Sequence, residues 1–67
     1  MTILRIEDPS RFVGLPLGKV LGQIADCGYQ SLIIKADNIT KEIVHDYDPL
    51  RVLLQVEKNI VTTAKVG

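Results

Sequence analysis

The stretch Gln30–Glu57, QSLIIKADNITKEIVHDYDPLRVLLQVE, decides the fold. It holds two short apolar runs, Leu32-Ile33-Ile34 and Val52-Leu53-Leu54 with Val56 close behind. Each run is strand-like in length and composition, and its continuity predicts a strand covered on both faces or nearly so. Residues 37–50 lie between them, 14 residues without helical spacing, and Pro49 would stop a helix there. Connections in compact domains usually run about 4–6 residues, and longer ones are usually functional or disordered. Disorder does not suit this composition, because Ile39, Ile43, Val44 and Tyr47 punctuate the segment. Branched side chains favour extended backbone, and Pro49 pushes Asp48 the same way. A stretched segment tied to a strand at each end is preorganised to bind, since little entropy is left to lose on docking.

Ahead of this stretch, Pro16–Gly28 has the spacing of an amphipathic helix. Leu17, Val20, Leu21, Ile24 and Ala25 fall at i, i+3, i+4, i+7 and i+8. Pro16 suits the first helical position and Gly28 the left-handed residue past the end. Gly18 and Gly22 each cost the helix about 1 kcal/mol relative to alanine, so it must depend on docking its apolar stripe. Cys27 sits in the last turn, where a packed thiol is expected rather than a nucleophile. Met1–Arg11 reads as an N-terminal arm or short edge strand that turns at Asp8-Pro9-Ser10, and Phe12-Val13-Gly14 as an apolar anchor. Behind the second run, Lys58-Asn59 predicts a hairpin turn. Ile60, Thr62, Ala64 and Val66 then alternate with Val61, Thr63 and Lys65, as in an edge strand. One helix on one face of a small sheet, an α+β arrangement, buries this amount of aliphatic surface.

The 67 residues make a single domain, 1–67. A hydrophobic share of 46% with 24% charged residues is globular in composition. Eight basic and eight acidic residues cancel, which argues against nucleic acid and against an anionic membrane surface. No run approaches the roughly 20 apolar residues that span a bilayer. The charged N-terminus lacks the apolar stretch of a signal peptide, so a cytosolic chain, or a mature one whose leader has been cut away, is expected. A lone cysteine forbids an internal disulfide, and no spacing of ligands suggests zinc. A chain this short buries only about 60% of its unfolded surface, so aliphatic packing must carry its stability.

The residues then match a known pattern. "FVG" before a helix of about three turns, "SLIIKADN", "IVHDY", "RVLLQVEKN" and a final "KVG" stand in the order and spacing of the potato inhibitor I family of serine-protease inhibitors. Over four-fifths of the chain, from Phe12 to Gly67, resembles that family. The resemblance implies two central parallel strands joined by an extended binding loop at residues 37–50. It implies an inhibitor of a subtilisin- or chymotrypsin-like serine protease that inserts Thr40, Lys41, Glu42, Ile43, Val44, His45, Asp46, Tyr47 and Asp48 as a substrate would, with the scissile bond at His45–Asp46. Arg51 matches an arginine that braces the loop, by pairing with Asp46 or Asp48. Leu53 and Asp48 stand where the family carries further arginines, and His45 and Val44 where it usually carries a large apolar residue and a threonine. Histidine before the scissile bond, in place of a lysine or arginine, argues against a trypsin-like target.

A second expectation follows from the missing arginines: a non-inhibitory binding module, or a small oligomer, on the same scaffold. Otherwise the chain is expected to be a monomer or weak homodimer. Catalysis, cofactor and metal are not expected. In an extended strand Asp46 and Asp48 share one side and His45 the other, which works against a metal site, and a triad of Cys27, His45 and an aspartate would need a cleft that 67 residues hardly supply.

Overall fold

The computed structural model describes residues 5–67. A short 3₁₀ helix, Pro9–Phe12, leads into α1, Leu17–Asp26, and then into four strands: β1, Gln30–Ala36; β2, Ile39–Thr40; β3, Arg51–Glu57; and β4, Ile60–Val66. The sheet order is β2-β1-β3-β4. β1 and β3 run parallel at its centre, from Gln30 opposite Arg51 to Ala36 opposite Val56, while β2 and β4 pair antiparallel at the two edges. The chain is therefore α+β, with one helix on a small mixed sheet. No helix among the described residues is long and apolar enough to cross a membrane.

The alternation of strand side chains builds the core. Val52, Leu54 and Val56 of β3 are buried on the helix side, where they meet Val20 and Ile24 of α1, Cys27 just past its end, Phe12, Val61 and Ile6. Full burial of such side chains contributes about 1.5–3 kcal/mol each. Leu53 points the other way. It is only 6% exposed yet stands outside that cluster, and its partners are on the loop side of the sheet.

Several sequence expectations shift in detail. The helix begins one residue later than its spacing suggests, because Pro16 is its N-cap, in extended conformation, and bridges Ile60. Gly28, at φ +81°, closes the helix in the left-handed conformation as expected. Ala25 is exposed; the buried stripe passes through Val20, Ile24 and Cys27 instead, with Leu17 and Leu21 half-buried at its flanks. The arm in residues 5–8 is not a strand, although Ile6 is buried and its N–H donates to the Tyr29 hydroxyl; residues 1–4 of the expected arm lie outside the described residues. Between β3 and β4 the pairing slips at Gln55 and Val56, opposite Thr63 and Val61, so that β4 carries Thr62 as an extra residue. This bulge lets Val61 and Ala64 both pack inward, which strict alternation forbids.

A Cβ on Gly18 or Gly22 would meet no atom within 4 Å. Gly18→Ala and Gly22→Ala should therefore each raise stability by about 0.5–1 kcal/mol, visible as a higher urea midpoint at unchanged slope.

Candidate functional site

The connection from β1 to β3 is shorter as a free loop than its 14 residues suggest. Asp37 and Asn38 both take positive φ, 50° and 66°, and make a two-residue hairpin turn of the kind that suits the twist of paired strands. Ile39 and Thr40 then pair with Ala36 and Lys35 as β2. Thr40, expected in the loop, thus belongs to the sheet. The Asp-Asn pair was a legible signal, of the same chemistry as the Lys58-Asn59 turn, whose residues also have positive φ. The two turns are joined: the Asp37 N–H donates to the Val56 carbonyl at 3.0 Å, and the Lys58 N–H to the Asp37 carboxylate at 2.7 Å.

The loop proper leaves β2 at Lys41. The register of β1 on β3 shifts between Ile33 and Lys35, leaving Ile34 without a partner on β3. Its carbonyl accepts the N–H of Lys41 at 2.8 Å and of Glu42 at 3.3 Å. One irregularity in a central strand thereby ties down the start of the loop.

The far end is tied more densely. The Asp48 N–H donates to the Gly67 carbonyl, and the Asp48 carbonyl accepts from the Arg51 N–H, both at 3.2 Å. The Asp48 carboxylate accepts the Leu50 N–H at 2.9 Å. Arg51, at the first position of β3, sends its guanidinium to the Gly67 carbonyl, from Nη2 at 2.6 Å and Nε at 3.2 Å, and to the Asp46 carbonyl, from Nη2 at 2.8 Å. The same Nη2 lies 3.8 Å from the Asp46 carboxylate, whose side chain is 83% exposed. An ion pair so exposed is worth little, and the shorter bond to the carbonyl carries the brace. Of the two acids that the sequence offers to Arg51, the structure selects Asp46, through its main chain. Gly67 also donates its N–H to the Arg51 carbonyl at 2.9 Å, and Leu53 sits where a Cβ on Gly67 would approach its Cδ1 to 3.3 Å. The role of Gly67 as shared acceptor was not legible in the sequence, because it depends on β4 ending beside the start of β3.

Between these anchors the main chain is open. Among the described residues, no acceptor serves the N–H groups of Ile43, Val44, His45, Asp46 or Tyr47. Ile43 is 73% exposed and Tyr47 68%, while Val44 is half-buried. Val44, His45, Asp46 and Tyr47 arch over a cleft of about 280 Å³ whose floor includes Leu53, Val66 and Gly67. Among the described residues, four of the six large apolar residues left exposed, Ile39, Ile43, Tyr47 and Leu50, belong to this connection, so the exposed apolar surface described is concentrated here.

His45 is exposed on the arch, whereas Cys27 is buried under α1, so these two side chains do not form one catalytic cluster. Among the described residues no group of three His, Cys, Asp or Glu side chains is placed to hold a metal. Comparison of the chain with models of protein families, with characterised proteins and with solved structures finds no match.

Proposed function

We propose that this chain inhibits a serine protease of subtilisin or chymotrypsin type, in the manner of the potato inhibitor I family it resembles. The observation that carries the reading is the run of five N–H groups, Ile43 to Tyr47, that find no acceptor among the described residues and are held between the Ile34 carbonyl at one end and the Arg51–Gly67 brace at the other. Main-chain donors left free in this way are what the edge of a protease cleft recognises by strand addition. Anchors at both ends lower the entropy lost on docking. In this reading His45 enters the primary specificity pocket, Ile43, Val44 and Tyr47 occupy neighbouring subsites, and His45–Asp46 is the bond presented for attack. Arg51 holds the Asp46 carbonyl in place, so that after cleavage the new amine stays within reach of the acyl group and the bond can re-form.

Incubation with subtilisin and with chymotrypsin tests this. Lasting inhibition of at least one, with one slow cut after His45, is expected. The products, residues 1–45 and 46–67, should elute together under native conditions. Phe12, Val20 and Ile24 lie on one fragment and Val52, Leu54, Val56 and Val61 on the other, so the core is shared between them. Rapid cutting without inhibition, or no interaction with either enzyme, would sink the reading. Either outcome would favour a binding module on the same scaffold, for which the cleft left beneath the arch by Leu53 is the motivating feature.

A further inference from the structure

Asp48 takes part in three hydrogen bonds at the base of the loop. Its flanks differ from it: Asp46 and Tyr47 before it and Pro49 after it are exposed, while Asp48 is half-buried. Its N–H, carbonyl and carboxylate each have one partner, Gly67, Arg51 and Leu50 in turn. Pro49 has no N–H to offer, so the Leu50 N–H is the first main-chain donor after the loop, and the Asp48 carboxylate closes a turn on it. Pro49 also biases Asp48 away from helical conformations. Together these restraints fix the backbone on both sides of Asp48 and set the direction in which the chain enters it from Tyr47. The Gly67 carbonyl is common to Asp48 and Arg51, so the third residue beyond the His45–Asp46 bond shares an acceptor with the arginine that grips the Asp46 carbonyl.

We infer that Asp48 is a positioning residue of the binding loop, acting through its turn onto Leu50 and its bond to Gly67 to hold Asp46 and Tyr47 in the geometry a protease cleft accepts. This rests on the inhibitor reading for its purpose, though the positioning itself is a property of the free chain. An acid at this position is therefore a brace in its own right, supplying by a local turn what a long cation would supply by reaching.

The test compares Asp48→Ala with Asp48→Asn, which keeps an acceptor oxygen at the same place. Three readouts on the full chain are needed: the inhibition constant against subtilisin, the rate of cutting between Ile43 and Tyr47 by a thermolysin-type metalloprotease with a different cleft, and the urea midpoint. Asp48→Ala should speed the metalloprotease cut about tenfold and weaken inhibition by a similar factor, with little change in the midpoint, while Asp48→Asn restores both towards wild type. The inference is overturned if Asp48→Ala is cut at the wild-type rate, if Asp48→Asn behaves like Asp48→Ala, or if cutting rises only in step with a lowered midpoint. The metalloprotease rate does not require inhibition. A wild-type chain that fails to inhibit would thus overturn the proposed function, while the ratio of cutting rates still decides the role of Asp48.

Discussion

Arg51→Met should weaken inhibition of the target protease about 100-fold and make the variant a substrate cut after His45. Methionine keeps an unbranched apolar stem, so the loss falls on the guanidinium. That group donates to the Asp46 carbonyl and twice to the Gly67 carbonyl, and all three bonds vanish together. Hydrogen bonds from charged groups are worth about 1.5–3 kcal/mol each, and a displacement of about 1 Å at a reacting bond costs a factor of about 10². Freed from the brace, the Asp46 carbonyl can rotate, and the amine released on cleavage departs instead of re-forming the bond. Arg51→Lys should recover only a small part of the loss, because one ammonium cannot span two carbonyls as the planar fork does. The checks are the inhibition constant and the rate at which fragment 46–67 appears by mass. Undiminished inhibition by Arg51→Met would remove the brace from the mechanism.

The second large effect is on folding. Leu54→Ala should lower stability by about 2–5 kcal/mol, as large-to-small changes in a packed core do. Leu54 is completely buried at the centre of the sheet, between the parallel partner Ile33 and the antiparallel partner Ala64, and packs into the cluster with Val20 and Ile24. A domain of this size has only roughly 3–10 kcal/mol to lose, at about 0.05–0.15 kcal/mol per residue. Much of the Leu54→Ala population should therefore be unfolded at 37 °C, and its urea transition should move towards zero denaturant. A variant with a wild-type transition would mean that the core is centred elsewhere.

Much of this architecture can be read from the chain. Two aliphatic runs, Leu32–Ile34 and Val52–Val56, announce the central strands because burial on the sheet leaves few polar positions in them. Pro16 and Gly28 bracket α1 because each has a backbone preference that holds in any tertiary setting. The Asp37-Asn38 turn was equally local, but the 14-residue span between the strands hides it when read as one loop. Other features lay beyond reach for a different reason. The bulges at Ile34 and in β4 arise from pairing between strands, and the bonding of Arg51 and Asp48 to Gly67 joins residues 16 and 19 places apart, so no window of sequence contains them. The residues of the arch were legible, whereas the acceptors that hold it taut were not.

The strand that completes the core, β3, is central in space and late in the chain. Until residues 51–57 have left the ribosome, α1 and β1 have nothing to bury against, and the helix, with two glycines inside it, is too weak to persist unsupported. The domain must then assemble in one step after its translation rather than grow along the nascent chain. Its early half would spend that interval as an apolar segment in need of shelter.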